Sequence, residues 1–244
     1  MAPSASEEAL SQKALLIHQR LCKVFSCPIS YFHNLDPLSE LVSALLSHRT
    51  RNKDSGKAFK QLRAALPTWD AVRDSDAKTV ENAIAPCTWP EQKAPRIQQV
   101  LRQITAERGT LSLDCLKDMP VTEARKWLES LTGVGPKTSA AVLSFSTLRR
   151  RALPVDSHHH RVAQRTGLIS QNVSVGPAHA LLEAQMPQHW SAQQVYDNHE
   201  IMMLHGQQCC HYRQPNCLGD RTKKDSPCVL LDLCPFGQQL TKQR

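Results

Sequence analysis

A lysine stands directly after a glycine-rich turn in this chain, at a position that alters its chemistry. Residues 131–138 read LTGVGPKT, and Pro136 predicts the start of a helix in which Lys137 is the second residue. Because the N-terminus of a helix repels cations, we expect this placement to lower the pKa of the Lys137 amine. A partly neutral amine is a nucleophile that can form a Schiff base with an aldehyde-like carbon. The alternative is a surface lysine that binds a phosphate.

The turn before this lysine is suited to a phosphate ligand. Gly133 and Gly135 let the backbone turn tightly and approach a ligand closely, while Val134 between them would pack into the core. The following helix presents unpaired N–H groups and the positive end of its dipole. A purely structural joint between two helices is the alternative. A P-loop is excluded, because its spacing of glycines and lysine is absent.

An acid marks the start of another predicted helix, nineteen residues after Lys137. Residues 153–162 read LPVDSHHHRV, in which Asp156 is a predicted N-cap. A capping role is compatible with a catalytic one. The three consecutive histidines point in different directions on a helix, so we expect surface and groove residues rather than a three-histidine metal site.

The nine cysteines are unevenly distributed. Four are scattered, and the other five crowd one C-terminal stretch as Cys209, Cys210, Cys217, Cys228 and Cys234. An intracellular compartment keeps thiols reduced, which makes disulfides the less expected use. Metal binding is the leading interpretation of the C-terminal group.

Composition indicates a globular protein with an anionic partner. The chain has 244 residues, 41% of them hydrophobic, and a formal net charge of +8. No apolar run approaches the ~20 residues that span a bilayer, and the first residues resemble neither a signal nor a transit peptide. We therefore expect an intracellular protein: a bacterial cytoplasm, in association with the nucleoid, fits best, and a nucleus is the alternative. An arginine cluster at residues 149–151, 161 and 165 favours a basic face.

Apolar residues recur with helical spacing along most of the chain. In the clearest case, residues 36–46, Asp36 is a predicted N-cap and Pro37 the first helical residue. Further periodicities cover residues 8–25, 55–66, 77–84, 92–107, 112–117, 121–131, 136–147, 156–167, 175–186 and 192–204. No strand alternation is evident, so the predicted class is all-α. Residues 238–244 are predicted to be a frayed tail.

The glycine-rich turn with its lysine, together with residues 155–168, resembles the helix–hairpin–helix DNA glycosylases, specifically the endonuclease III family. Similar segments occur in the family's order at residues 37–47, at Lys93-Ala94-x-x-Ile97 and at His205-Gly206. The resemblance implies two helical lobes. A six-helix barrel with the hairpin would span residues 36–148, and residues 1–35 and 149–244 would form a second lobe that carries a cysteine-ligated cluster.

The resemblance also implies an activity, removal of oxidised pyrimidines from duplex DNA. The family's catalytic lysine falls on Lys137 and its catalytic aspartate on Asp156. Lys137 would attack the sugar C1′ of a flipped nucleotide and nick the strand by β-elimination, while Asp156 would stabilise positive charge on the sugar. The implied DNA-binding residues are Gly133, Val134, Gly135, Thr138, Arg49, His158 and Arg161. The expected partner is double-stranded DNA with damaged bases or abasic sites, bound by a monomer.

The family holds a [4Fe-4S] cluster with four cysteines in a C-x6-C-x2-C-x5-C pattern. The resemblance assigns these ligands to Cys210, Cys217, Cys228 and Cys234. Ten residues instead of two separate Cys217 from Cys228, and we expect the polar insert 218–227 to loop out without moving the sulfurs. Cys209 is an alternative to Cys210, which its flanking residues favour. Zinc bound by four cysteines is the alternative cofactor.

Two departures from the family concern the substrate. Arg49 stands where a glutamine usually fills the gap left by the flipped base, and Asn52 replaces a carboxylate near the lesion pocket. Arginine can still wedge into the base stack and also attracts phosphates. The departures keep a second function open, an AP-lyase-only protein or a non-catalytic binder of damaged or distorted DNA. A structural scaffold with a bound metal is disfavoured, because it leaves the spacing of Lys137 and Asp156 unexplained.

Overall fold

The computed structural model describes residues 4–219 and 227–242. This part of the chain contains helices and no strand, so the predicted all-α class is confirmed. The chain divides into two compact units. The continuous unit is Phe32–Arg150, and the split unit combines Met1–Tyr31 with Arg151–Arg244. The boundaries predicted from the sequence, after residues 35 and 148, stay predictions.

The described residues form twelve α-helices. They are α1 (Ala5–Phe25), α2 (Pro37–Ser47), α3 (Asn52–Ala65), α4 (Trp69–Asp74), α5 (Ala77–Ala83), α6 (Pro90–Arg108), α7 (Val121–Ser130), α8 (Pro136–Phe145), α9 (Ser157–Thr166), α10 (Val175–Ala184), α11 (Ala192–Gln208) and α12 (Pro235–Lys242). A 3-10 turn at Asp114–Lys117 precedes α7. None of the helices in residues 4–219 and 227–242 has the length and apolar character needed to cross a membrane.

Helix α2 forms the centre of the continuous unit. Asp36 caps it, because its carboxylate accepts hydrogen bonds from two backbone N–H groups of the first turn at 3.0 Å. Leu41 and Leu46 are fully buried, since α3, α6 and α8 pack around this helix. A helix that is surrounded in this way is apolar on most of its faces. Its fixed position determines where the loop of residues 48–51 emerges.

Helices α1, α9 and α11 pack together in the split unit. Helix α1 begins with a capping box formed by Ser4 and Glu7, and α11 begins with one of the same kind. Gly206 lets α11 approach α9 closely, since a Cβ at this position would lie 2.8 Å from the Cβ of His158. The small residue therefore sets the distance between the two helices that carry most of the polar groups described below.

Sequence periodicity misses two short helices. Helix α4 has only six residues and depends on Thr68, whose hydroxyl accepts a hydrogen bond from the N–H of Ala71 at 3.1 Å. Helix α12 begins at Pro235 and includes residues 238–242, so the frayed tail predicted there is wrong. Gly237 keeps α12 close to the preceding turn, because a Cβ there would lie 2.9 Å from the side chain of Leu231.

A disulfide joins Cys22 to Cys27, contrary to the expectation of reduced thiols. The chain folds back on itself directly after α1, where Ser26 adopts a left-handed φ of 60°. The N–H of Cys27 then donates to the carbonyl of Cys22 at 3.1 Å, and the two Cα atoms lie 4.9 Å apart. This local turn, which composition does not reveal, brings the two thiols together.

Candidate active site and cysteine cluster

The predicted glycine-rich turn forms a hairpin between α7 and α8. Gly133 has a left-handed φ of +80°, and a Cβ added there would lie 2.7 Å from Cδ of Arg96. Glycine is therefore required at this position. Val134 is only 6% exposed, as predicted, and Gly135 is the N-cap of α8. The hairpin thus presents the N-terminus of α8 at its tip.

Lys137 lies at the second position of α8, as the sequence predicts. Its neighbour Thr138 is buried, and the hydroxyl of Thr138 lies 3.0 Å from Nε2 of His48. The pKa of His48 falls to about 4, because the imidazole is buried and three cations lie close to it. These cations are Lys137, Lys93 and Arg96. His48 is therefore neutral at physiological pH in an electropositive region, a feature that sequence reasoning missed.

Lys93 is a buried lysine that organises the loop after α2. Its side chain donates to the carbonyl oxygens of Leu46 at 2.7 Å and His48 at 2.8 Å, and to the hydroxyl of Thr50 at 2.7 Å. The residue is only 7% exposed, and burial lowers its pKa. A cation at the C-terminus of a helix is favourable, because it faces the negative end of the dipole. Lys93 thus ties residues 46–50 to α6.

Arg49 occupies the loop that Lys93 holds, with a left-handed φ of 51°. Its carbonyl accepts a hydrogen bond from the hydroxyl of Thr88 at 3.1 Å. Its guanidinium lies 5.9 Å from the ring centroid of Trp89, a cation–π distance. Trp89 is 43% exposed and also left-handed, with a φ of 52°. Two adjacent loops therefore present an arginine and an aromatic side chain together, and no sequence pattern indicated Trp89.

Asp156 belongs to the split unit, where it caps α9. Its carboxylate accepts a hydrogen bond from the N–H of His159 at 2.7 Å. Burial disfavours the charged carboxylate, but the charge of His199 and the N–H of His159 outweigh that penalty and lower the pKa of Asp156. The cap predicted from the sequence is confirmed. The carboxylate is ionised at neutral pH, as electrostatic stabilisation of a cation requires.

Two buried histidines fix the backbone before Asp156. His199 Nδ1 donates to the carbonyl of Pro154 at 2.8 Å, and the N–H of Val155 donates to Nε2 of His179 at 3.0 Å. Because His179 Nε2 accepts, its Nδ1 carries the proton, which it donates to the carbonyl of Val175 at 2.9 Å. These contacts hold the segment entering α9, and no sequence pattern indicated a role for either histidine.

Further titratable groups lie buried around the same helix. His159 is fully buried, which lowers its pKa to about 3, with a further contribution from His199. Burial raises the pKa of Glu200 to about 7, and the carboxylates of Asp156 and Asp197 add to the effect. Glu200 Oε1 lies 3.9 Å from Nε2 of His199. Glu200 is therefore partly protonated at neutral pH, in contrast to Asp156.

The arginines of the predicted cluster are held by backbone carbonyls, which fix the guanidinium groups without neutralising their charge, so the basic face expected from the sequence stays a prediction. In the split unit, Arg161 donates to the carbonyls of Gly206 at 2.7 Å and Cys210 at 2.9 Å, and also contacts His158 Nδ1 at 3.1 Å. Arg165 donates to the carbonyls of His211 and Tyr212, which follow Cys210 in the cysteine loop, the segment from Cys209 to Cys234. In the continuous unit, Arg149 and Arg150 likewise bind carbonyl oxygens. DNA binding by His158 and Arg161 stays a prediction.

The four cysteines assigned as ligands line one cavity in the split unit. They are Cys210, Cys217, Cys228 and Cys234. The cavity surrounds their sulfurs with donors: backbone N–H groups reach Cys228 and Cys234 at 3.4 Å, and Arg165 reaches Cys210 at 3.3 Å. Burial raises the pKa of Cys217 to about 11, and the neighbouring thiols add to the effect. Four thiolates packed together need a cationic centre, so this donor set fits an iron–sulfur cluster or zinc.

The two residues that flank the long insert, Cys217 and Cys228, are hydrogen-bonded to each other. The N–H of Cys228 donates to the carbonyl of Cys217 at 3.0 Å, so the two ligands adjoin despite their separation in sequence. Residues 220–226 of the predicted loop lie outside the described residues. Cys209 does not line the four-cysteine cavity; its thiol donates to the carbonyl of Asn216 at 3.5 Å. This arrangement favours Cys210 as the ligand.

Comparison with known proteins identifies the family. The family described as HhH-GPD superfamily base excision DNA repair protein matches residues 42–188. The chain belongs to this family. The match includes the hairpin, Lys137 and Asp156, and it ends before the cysteine cluster. The HhH-GPD protein contains its hairpin between α7 and α8, in the continuous unit, whereas Asp156 and the cysteines are in the split unit.

Relatives and solved structures support the endonuclease III resemblance. A candidate DNA glycosylase of Arabidopsis thaliana is 30% identical over 219 residues, covering 90% of this chain and 71% of the relative. Endonuclease III of Sulfolobus acidocaldarius is 25% identical over 198 residues, or 80% of each chain. An endonuclease III trapped in a covalent intermediate with DNA has the same fold, with a TM-score of 0.77, 23% identity, and coverage of 95% of this chain and 98% of that one. The resemblance to the endonuclease III family is confirmed.

Proposed function

We propose that this HhH-GPD protein is a bifunctional glycosylase and AP lyase that removes oxidised pyrimidines from duplex DNA. One observation carries the proposal: the hairpin forms, and it places Lys137 in the first turn of α8 beside the neutral His48. A monofunctional glycosylase would need no amine at this point. The electropositive surroundings and the N–H groups of α8 suit a DNA phosphate near the same residue.

Lys137 supplies the nucleophile. Its neutral amine attacks C1′ of the flipped nucleotide, the bond from C1′ to the base breaks, and the departing base accepts a proton. The nitrogen then loses one of its protons, and the bond from C1′ to the ring oxygen breaks as that oxygen accepts a proton, which leaves a Schiff base that still carries one proton on nitrogen. Removal of a C2′ proton then expels the 3′ phosphate oxygen and nicks the strand. Water then hydrolyses the Schiff base: the bond between C1′ and the lysine nitrogen breaks, which regenerates the free amine and leaves an aldehyde on the sugar.

Asp156 supplies the negative charge. Its lowered pKa keeps the carboxylate ionised, so it stabilises positive charge that develops on the sugar and assists proton transfer. The contact from the N–H of His159 fixes the orientation of the carboxylate. The neighbouring Glu200, with its pKa of about 7, is poorly suited to this role because much of it is neutral.

Arg49 and Trp89 form the surface that would fill the space left by a flipped base. The guanidinium can hydrogen-bond to an unpaired base, and the exposed indole can stack on it. Lys93 supports the loop of Arg49 through its hydrogen bond to the carbonyl of His48. An arginine here adds attraction to phosphates that a glutamine lacks, so the opposite-base preference is a property of this chain's own loop.

The four cysteines would hold a [4Fe-4S] cluster. Cys210, Cys217, Cys228 and Cys234 line one cavity and have N–H donors of the kind that stabilise thiolates. When bound, the cluster would crosslink these four cysteines through its iron atoms and so fix the segments that carry them. Arg161 donates to the carbonyl of Cys210 and Arg165 to that of His211, so the two arginines support the same segment.

Release of free base tests the proposal. The protein is incubated with a duplex that contains one thymine glycol, and free base and strand nicking are measured separately. We expect both products from the natural protein and neither from Lys137→Gln, which must still bind the duplex. Asp156→Asn keeps a competent helix cap while removing the charge, so it should also lose base release. Lys126→Gln, on an exposed position of α7, is the matched control.

Two other outcomes would replace the proposal. Nicking of an abasic duplex without release of thymine glycol would establish an AP-lyase-only protein. Binding of damaged duplex without either product would establish a non-catalytic binder.

A further inference from the structure

Two side chains beside the four-cysteine cavity can also bind a transition metal but are not among its four cysteines. His205, Cys209 and Cys228 each offer one ligand atom, and these three atoms lie within 4.8 Å of one another. Cys228 Sγ is 3.7 Å from Nε2 of His205. Neither His205 nor Cys209 belongs to the cysteine set assigned by the spacing pattern. The surplus pair is therefore a feature of this chain that the proposed function does not use.

The spacing of these atoms suits a small tetrahedral cation. Zinc binds sulfur at about 2.3 Å and imidazole nitrogen at about 2.0 Å, so neighbouring ligand atoms in a tetrahedron are about 3.5 to 3.8 Å apart. The three atoms are within about 1 Å of that arrangement. Imidazole and thiolate are the ligand types that zinc prefers, whereas calcium and magnesium require oxygen.

The backbone holds all three ligands in place. His205 is 5% exposed near the end of α11, and its carbonyl accepts from the N–H groups of Cys209 at 2.9 Å and Cys210 at 2.8 Å. The carbonyl of Cys209 accepts from the N–H of Asn216 at 2.8 Å. The N–H of Cys228 is bound to the carbonyl of Cys217. A site on fixed backbone loses little conformational freedom when a metal binds, so the arrangement is preorganised.

We propose that His205, Cys209 and Cys228 bind one zinc-type divalent cation, with the fourth tetrahedral position left to water. This set differs from zinc bound by four cysteines, since it uses a histidine and the cysteine that does not line the cavity. Because Cys228 is shared, the cation and the [4Fe-4S] cluster exclude each other. The exclusion rests on the cluster proposed above, whereas the cation site does not.

Cobalt titration of the full-length, cluster-free protein tests the site. Co²⁺ reports thiolate ligation through its absorption bands and competes with Zn²⁺ for the same ligands. We expect one Co²⁺ per chain, displaced by Zn²⁺. Cys209→Ser should weaken Co²⁺ binding by about 100-fold or more, since loss of a direct ligand costs at least as much as loss of a supporting contact. Cys115→Ser is the matched control, because it removes an exposed thiol outside both ligand sets and should leave Co²⁺ binding unchanged. Cys210→Ser distinguishes this site from the four-cysteine cavity.

Iron content separates this site from the cluster. Protein purified anaerobically as Cys209→Ser should retain its iron, whereas Cys210→Ser should lose it. Co²⁺ binding that survives Cys209→Ser and disappears in Cys210→Ser would overturn the proposal and place the cation in the four-cysteine cavity. Absence of iron from the natural protein, with Co²⁺ binding still dependent on Cys209, would reject the cluster and leave the cation site standing. His205→Asn provides a second variant, which should weaken Co²⁺ binding as Cys209→Ser does.

Discussion

The ammonium group of Lys93 donates to the carbonyl oxygen of Leu46 across 2.7 Å, at the last turn of α2. Two further acceptors, at His48 and Thr50, complete its coordination. A single lysine on α6 therefore ends one helix and shapes the loop from which Arg49 projects. The buried cation faces the negative end of the α2 dipole, which offsets part of the cost of its burial.

Replacement of Lys93 by methionine should destabilise the protein by about 1–3 kcal/mol, because the carbonyls of Leu46 and His48 lose their charged donor and keep only the longer contacts from Cys87 and Thr50. Chemical unfolding measures the loss. Binding of a damaged duplex should weaken as well, since Arg49 is no longer held. Lys57→Met, at an exposed position of α3, should change neither quantity. A Lys93 variant with unchanged stability would show that water replaces the ammonium without cost.

Alanine at the two glycines of the hairpin should have different effects. Gly133→Ala forces a side chain into a left-handed φ of +80° and against Arg96, so it should cost about 1–3 kcal/mol of stability. At Gly135 an added Cβ meets no atom within 4 Å and φ is −112°. Gly135→Ala should therefore fold normally and lose affinity only if the backbone at this point approaches DNA. Thermal unfolding and duplex binding, measured on both variants, separate the two effects.

Residues that are close in sequence could be predicted, and residues that meet through the fold could not. Asp36, Pro136 and Asp156 cap or open helices by local chemistry, so their roles followed from the residues around them. Lys93 finds its acceptors 43 to 47 residues earlier in the chain, and no local pattern marks such a contact. Helix α4 is too short to show a period.

The contacts of the arginines also depend on the fold and could not be predicted. Their number and spacing predict a basic face, which stays a prediction, and a charge count does not reveal that these guanidinium groups also bind carbonyls. Arg150, for example, donates to the carbonyls of Leu116, Lys117 and Met119. The Cys22–Cys27 disulfide could not be predicted either, because it depends on the left-handed turn at Ser26, which composition does not reveal.

Stability should depend on pH through Glu200. The folded pKa of about 7 lies above the ordinary value of 4.5, so the contribution of this group is fully present below pH 4.5 and is lost as pH rises through 7. The loss is on the order of 3 kcal/mol. Glu200→Gln removes it, so the variant should be more stable than the natural protein at pH 8 and similar to it at pH 4.5. Urea unfolding at both values measures the difference.

The matched variant for this experiment is Glu123→Gln, at an exposed position of α7. It should show no pH-dependent gain. If Glu200→Gln destabilises the protein at pH 8 instead, the charged carboxylate makes favourable contacts in the folded state, and the direction assigned to its pKa is wrong.

We expect the main role of Arg161 to be stabilisation of the backbone at Gly206 and Cys210 rather than contact with DNA. Arg161→Met removes the donors for the carbonyls of Gly206 and Cys210, which should cost about 1–3 kcal/mol and lower the iron content per chain. The salt dependence of duplex binding should keep its slope, because no phosphate contact is lost. A slope reduced by about one unit, with iron retained, would establish Arg161 as a phosphate ligand.

Borohydride trapping on a duplex with one abasic site addresses the chemistry of Lys137 directly. Reduction converts a Schiff base into a stable covalent adduct, which a denaturing gel separates from free DNA. The natural protein should form the adduct, Lys137→Gln should form none while still binding the duplex, and peptide mapping should place the modification on Lys137. An adduct of undiminished yield in Lys137→Gln, or none in the natural protein despite binding, would contradict the assignment of Lys137 as the nucleophile.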